Sequence, residues 1–375
     1  MNIRKINTEN SRDRKLFTRF PYEIYQNIPQ WVPPLDSEIH KAMDKTSHPF
    51  YQHSESDFFL AESEGQTLAR VQIIHNRNYC QHHQKQIAFF YYYESINDGQ
   101  ATQRLFDACV DWAKQRDLTA ILGPKGMTRS AGHGLLQYGF EGDPPMGIPY
   151  NPAYYNTLVE NFGFIKETDY ISGYMETSMR LPDKLFEVAE KVKKRGNFWI
   201  KTFNSKSEMK KWIPRLDKVH DEAFKHNINY YPSTQAEFSF MAETMIQVMT
   251  PGLIKLIMKE GEIAGFILTY PDVSKALKRI KGRLWPFGWI QILQEQKNTN
   301  LLNINGLGIL PKYQGLGANA LVYAELDHTI RSAPQFTRAE IVQVDERNFM
   351  SKSDMERMGV VWSKTHRSYI LELGK

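Results

Sequence analysis

Gln314, Gly315, Leu316 and Gly317 lie where an apolar run, "NINGLGIL" (303–310), gives way to an amphipathic one, "GANALVYAELDHTIRS". A corner needs one turn residue, not two glycines flanking a leucine. Without a Cβ to shield them, backbone N–H groups at a helix entrance point outward, and the helix dipole adds positive potential. This spacing makes a cradle for phosphate, and the unpaired amides of the first helical turn supply enough donors for two phosphates.

The elements that must hold the corner in place occur twice. "FFLAESEGQTLARVQIIHN" and "LIKLIMKEGEIAGFILTY" each read as a hairpin around Glu-Gly. Each leads to a further apolar stretch, "QIAFFYYYES" or "NINGLGIL", then a helical pattern, a short strand, and a helix stopped by Gly163 or Gly359. Gly261 follows Gly65, and Gly359 follows Gly163, by the same 196 positions (261 against 65, 359 against 163). The repeat predicts a duplicated α+β unit of roughly 170 to 190 residues. "LPDKLFEVAEKVKKRGN" reads as a charged helical connector, so the expected units are 1–180 and 198–375, joined by 181–197.

The rest of the chain sets bounds. With 375 residues, 41% hydrophobic and 13% aromatic, it has the material for two proper cores. No run reaches the roughly 18 apolar residues of a membrane span. The first residues lack a signal-peptide apolar region. Cys80 and Cys109 are too few for a disulfide framework or a thiolate zinc site, and a reducing cytoplasm is expected. A net charge of +5 permits anionic small molecules or lipid headgroups but is no nucleic-acid signature, and no nucleic-acid partner is expected.

Hairpin, long strand, glycine corner, helix, strand and glycine-stopped helix together resemble the GNAT superfamily of acyl-CoA-dependent acyltransferases. The segment Ile309-Leu310-Pro311-Lys312-Tyr313-Gln314-Gly315-Leu316-Gly317-Ala318-Asn319 matches its strand, Pro, Gln/Arg-x-x-Gly-x-Gly/Ala and helix pattern, departing only at Asn319. The resemblance implies a fold of two GNAT-like domains in tandem, each a mixed, mostly antiparallel twisted sheet flanked by helices. It implies acetyl-CoA or a longer acyl-CoA as co-substrate, and no metal. By resemblance, Gln314 and the amides of Gly315, Leu316, Gly317, Ala318 and Asn319 bind the pyrophosphate. The backbone at Ile309 and Leu310 binds the pantetheine arm, and Asn348 stands on the cofactor side. The first half has "INDGQATQRL" at the equivalent corner and no such motif, so it is expected to be degenerate and to shape the acceptor site.

Acyl transfer to an amine requires a neutral amine, a polarised carbonyl and a proton for the leaving thiolate. In many GNAT relatives a tyrosine four residues before the helix-ending glycine gives that proton, but Met355 stands there. Tyr369 and Tyr323 are substitutes by residue type. Glu340 and Asp345, flanking the strand beside the cofactor strand, are base candidates, as are His366 and His328. A positioned amine with a lowered pKa needs little further help, and each carboxylate also fits a solvated surface role. The missing tyrosine and Asn319 leave a second reading, an acyl-CoA sensor without turnover.

An insertion before the cofactor strand, "DVSKALKRIKGRLWPFGWIQILQEQ", puts Lys275, Lys278, Arg279, Lys281 and Arg283 ahead of Trp285, Phe287 and Trp289. Cations beside aromatics suit peripheral contact with an anionic membrane surface, cytoplasmic in this chain. Packing of the same aromatics into the core is the other reading. The aromatic segments of the first half likewise fit either a long apolar groove or a core. "WVPPL", "HPFYQHSESDFFLA", "IPYN" and "GRLWPFG" are similar to a bacterial tandem-GNAT family bordering on acyltransferases that acylate sphingoid amines. That resemblance implies a lipid-like amine acceptor.

Overall fold

Both Glu-Gly turns close as hairpins because two successive residues take the left-handed conformation: Glu64 (φ 53°) with Gly65 (φ 80°), and Glu260 (φ 50°) with Gly261 (φ 81°). The computed structural model describes residues 1–225, 227–314 and 317–374. In the first half β1 (Asn2–Lys5) precedes α1 (Ser11–Arg19), α2 (Pro21–Ile24) and α3 (Asp36–Met43). The hairpin β2 (Glu55–Ser63) and β3 (Gln66–His75), α4 (Arg77–His83), β4 (Ile87–Ser95), α5 (Gly99–Lys114) and β5 (Ala120–Gly123) follow. It ends with β6 (Leu135–Tyr138), α6 (Tyr154–Phe162) and β7 (Ile165–Glu176).

After α7 (Asp183–Gly196) the plan repeats. β8 (Phe198–Lys201), α8 (Lys206–Phe224) and α9 (Gln235–Ile246) lead to the hairpin β9 (Ile254–Lys259) and β10 (Glu262–Pro271). The insertion folds as α10 (Ser274–Ile280) and α11 (Gly288–Asn298). β11 (Leu301–Ile309), α12 (Ala318–Arg331), β12 (Arg338–Asp345), α13 (Phe349–Arg357) and β13 (Val361–Glu372) complete the chain.

Among the described residues the strands join one sheet in the order β1-β2-β3-β4-β5-β13-β7-β12-β11-β10-β9-β8, with β6 also on β13. The halves therefore exchange their last strands. β13 pairs with β5 of the first half, and β7 pairs with β12 of the second; the two long strands also pair with each other over nearly their whole length. Apolar layers form on both sides of this sheet. Phe90, Phe106, Tyr155 and Phe164 anchor the first-half core, and Ile267, Leu302, Leu321 and Leu326 one core of the second. At about 1.5–3 kcal/mol for each large apolar side chain fully buried, these clusters hold the loops and bulges that form the site.

Candidate active site

The parallel ladder between β11 and β12 covers only Leu301–Ile304 against Arg338–Ile341. Beyond it the strands part. On β11 the register with β10 slips between Ile304 and Gly306, leaving Asn305 as a bulge. On β12 the register with β7 slips between Ile341 and Val344. A bulge bends its strand and increases its twist, so bulges on two facing strands splay them. Asn305, Leu307, Gly308 and Ile309 then line one side of a cavity, and Val342 and Gln343 the other. Gly308 is obligatory in this place, since a Cβ would stand 2.6 Å from the Phe266 ring.

The cavity has a volume of about 720 Å³ and three distinct parts. At the corner it is lined by Gln314, Asn319 and Tyr323, together with Asn348, the N-cap of α13, and Ser351 and Asp354 within that helix. On the other face of the wedge it widens into an apolar chamber under α8 and α9, lined by Met209, Ile213, Phe238, Met241, Met245 and Met249. Methionine side chains are flexible enough to shape themselves around a long apolar ligand. Between the two lies a polar floor that includes Lys125, His133, Tyr170 and Asn229.

The entrance to α12 has no side-chain cap. Gly317 (φ 78°) is the N-cap of α12 and brings no capping side chain. Its Cα faces α7, where an added Cβ would lie 2.9 Å from Val192 and 3.2 Å from Val188. α7 is thus a wall of the corner as well as a connector. At the equivalent helix of the first half, the Asp98 carboxylate accepts from the amides of Gln100 (2.7 Å) and Ala101 (3.1 Å). A carboxylate already at the positive end of α5 satisfies the donors and repels phosphate. The first-half wedge is filled as well. Where Phe266 opposes Gly308 on β10 and β11, Arg70 opposes Glu94 on β3 and β4. Glu94 also accepts from Tyr25 (2.7 Å) and Tyr155 (2.9 Å).

The structure sorts the residues picked from sequence. Ile309, Gln314, Asn319 and Asn348 line the cavity. Gly317 and Ala318 form the turn into α12. Gly315 and Leu316 lie outside the described residues. Leu310 is corrected: its amide donates to Ala264 O (2.9 Å), so it offers an extended ligand no free N–H. The Ile309 carbonyl accepts from Gln314 Nε2 (3.0 Å), and the exposed strand edge begins earlier, at the Asn305 bulge.

Asp345 lines the cavity, but Arg347 holds both its oxygens at 2.9 and 2.7 Å. Burial works against its ionisation, and the Arg347 hydrogen bonds outweigh this and keep the carboxyl below its ordinary range. Glu340 lies outside the cavity lining, paired with Arg338 at 2.9 Å, and burial raises its carboxyl. Tyr369 is buried in the first-half core because β13 crosses into that sheet; its hydroxyl lies 2.9 Å from both Asn156 and Glu160. Neither Glu340 nor Tyr369 reaches the site. His366 is buried against Pro149 O (2.9 Å), whereas Tyr323 lines the cavity with its hydroxyl 3.3 Å from Asp354.

Sequence reading missed the polar floor, which the first half supplies through the loop after β5. Gln343 clamps that loop, accepting from the His133 amide at 2.8 Å and donating to the His133 carbonyl at 2.6 Å. Burial, then the nearby Lys125 charge, lowers His133 to about 3. His220 is also about 3, mainly through burial. Its Nδ1 faces Arg129 Nη2 at 3.4 Å, and a guanidinium only donates, so the neutral ring carries its proton on Nε2. The one signal available in sequence was the density of Gly, Lys, Arg and His in "GPKGMTRSAGHG", which carries no periodicity.

A splayed parallel pair, a bulged strand and an uncapped helix at the wedge, repeated in degenerate form, define the tandem GNAT fold. Of solved structures, a tandem GNAT protein from the clavulanic acid biosynthesis pathway superposes with a TM-score of 0.57, covering 100% of this chain and 99% of that one at 9% identity. Among curated proteins, the chain is 26% identical to the bacterial ceramide synthase of Caulobacter vibrioides, over 95% of this chain and 94% of that protein. It is 24% identical to Protein YghO of Escherichia coli K12, over 96% and 93% respectively. No family model matches the chain.

Proposed function

We propose that the chain transfers a long acyl group from acyl-CoA to a lipid-like amine. The observation that carries this reading is the single cavity running from the α12 corner, through the wedge, into the Met-lined chamber. The amides from Gly317 to Asn319 hold the diphosphate at the helix N-terminus, and the β11 edge from Asn305 aligns the arm that bears the thioester. The chamber takes the acyl chain. His133, which burial holds neutral, is too weak a base to take the amine's proton, so the amine must arrive neutral and the imidazole serves at most to orient it. The amine nitrogen bonds to the acyl carbon, the C–S bond breaks, and the displaced proton ends on the thiol. Relatedness to a ceramide synthase favours a sphingoid-type acceptor.

Thiol release from a panel of acyl-CoA esters against alkyl and sphingoid amines tests the reading. Release with long-chain esters supports it. Tight acyl-CoA binding without release for every amine replaces it with the sensor reading, and no binding at all removes both.

The insertion carries an exposed aromatic face. Leu284 and Ile292 pack inward with Val273 and Ile280, but Trp285, Phe287 and Trp289 stand out with 81%, 69% and 46% of their surface exposed. Lys278 and Arg279 are neutralised by Asp143 and Glu295, both at 2.7 Å. Among the described residues, Lys275, Lys281, Arg283 and Lys297 carry no ion pair. Gln296 donates to Val248 O (2.9 Å), placing α11 beside the chamber residues Met245 and Met249. We propose that this face rests on an anionic membrane surface next to the apolar end of the cavity. No helix among the described residues is long and apolar enough to cross a membrane.

A further inference from the structure

The cations lining the cavity are not equivalent. Arg129 pairs with Asp221 at 2.7 Å, and Arg347 pairs with Asp345 and with Glu167 at 3.0 Å. Among the described residues, Lys125 has no carboxylate partner, although it is only 4% exposed. Its hydrogen bond to Asn229 O is a long one, 3.5 Å from Nζ. The Tyr79 and Phe89 rings lie 4.7 and 5.4 Å from the same nitrogen. An ammonium has three protons to place, and burying it without acceptors is costly.

The position is built rather than incidental. The Lys125 amide donates to Phe90 O at 2.8 Å, tying the residue to the middle of β4, and Gln343 fixes the far end of the same loop. The side chain lies on the polar floor with His133, Tyr170 and Asn229, across the wedge from the corner. Burial lowers its pKa to about 8, so the charged form still predominates at neutral pH. A cation of this kind also disfavours a second ammonium nearby, which helps keep an acceptor amine neutral.

We propose that Lys125 is an acceptor-specificity residue: its ammonium binds an oxygen carried beside the reacting amine, so the substrate is an oxygen-bearing amine and not a plain alkylamine. This rests on the acyl-transfer reading for the identity of the amine, but not for the existence of the subsite. The oxygen is a hydroxyl or a carboxylate, and the two are separable by experiment.

Three amines of equal chain length test the assignment: a 1-aminoalkane, a 2-amino-1-alkanol and a 2-aminoalkanoate. Each is titrated calorimetrically onto the full chain saturated with CoA, and each is assayed for thiol release with one acyl-CoA. The expected result is affinity at least tenfold greater for one oxygen-bearing amine than for the alkylamine, mirrored in KM. In Lys125→Met that ratio falls to within about twofold, and in Lys125→Arg it is partly kept; whichever amine loses its advantage identifies the oxygen. Equal binding of all three by the wild type, or an unchanged ratio in a folded Lys125→Met, overturns the proposal. If thiol release fails with every amine while the calorimetric ratio holds, the subsite stands and the acyl-transfer reading falls.

Discussion

Ile304 and Ile341 are the last residues at which β11 and β12 run side by side in parallel register. One residue later the Asn305 bulge turns β11 away, and the exposed strand edge, the corner and the chamber all lie beyond that point. The wedge is therefore a consequence of two register slips on facing strands.

Phosphate binding at the corner is best probed at Asn319, which is exposed and lines the cavity. Asn319→Asp is expected to weaken CoA binding at least tenfold by calorimetry. The helix is stabilised, if anything, since acidic residues in a first turn are worth about 0.3–1 kcal/mol. Unaltered affinity would show that the phosphates bind elsewhere. Replacing Gly317 is a poorer test, because any side chain there strikes Val192.

The first-half helix makes the opposite prediction. Asp98→Ala removes two hydrogen bonds to the start of α5 and should lower stability by about 1 kcal/mol in urea. CoA stoichiometry should stay at one per chain, because Arg70 and Glu94 still fill that wedge. A second equivalent of bound CoA would show that the cap alone closes the first half.

Chain length should be set by the chamber. Ala242 lies on its wall, so Ala242→Trp shortens the space available. The expected outcome is a loss of about 100-fold in kcat/KM for long-chain acyl-CoA with little change for short-chain esters. A uniform loss across chain lengths would move the acyl group out of the chamber.

The Trp285→Ser, Phe287→Ser, Trp289→Ser triple variant should sediment with anionic vesicles at least tenfold less than the wild type. Its thermal midpoint should change little, since Trp285 and Phe287 are largely exposed and Trp289 about half so. Wild-type protein that ignores anionic and zwitterionic vesicles alike would refute the membrane surface. Concentration-dependent self-association through the same residues would do so too, assigning the face to a second copy.

Acid should unfold the protein early. Burial lowers His48 and His366 to about 4, and His133 and His220 to about 3. Unfolded histidine titrates near 6.5, so below that value the unfolded chain takes up protons that the folded chain refuses. Stability is fully present above pH 6.5 and is lost as the pH falls, by up to about 1.4 kcal/mol per pH unit for each group. The urea midpoint should fall clearly between pH 7 and pH 5, and His48→Gln with His366→Gln should flatten the slope. A midpoint that holds steady over that range would contradict the buried, neutral assignment.

The alternation around Glu64-Gly65 and Glu260-Gly261 and the stops at Gly163 and Gly359 made the duplicated plan readable, because turns and caps are local. Which strand pairs with which is not local. β7 and β13 have near-identical placement in the repeat, and their exchange left no trace in periodicity; Tyr369 was consequently expected at the wrong place. The corner could be read from its glycines, but Lys125 and His133 sit in an aperiodic loop whose importance comes from Gln343, some 210 residues away. The aromatics of "AFFYYY" showed their content but not their side: Phe89 and Phe90 are fully buried, while Trp285 faces solvent.

The exchanged strands also govern how the protein is made. β5 has β4 on one side but acquires its second neighbour only from β13, with Ala120 paired to Glu372, and the loop after β5 is clamped at His133 by Gln343 of β12. The first-half sheet cannot close until β13 has been made, and such distant pairings form slowly. Truncation near the C-terminus would thus strip the amino-terminal half of a central strand, and the two halves would be born, and lost, as one folding unit.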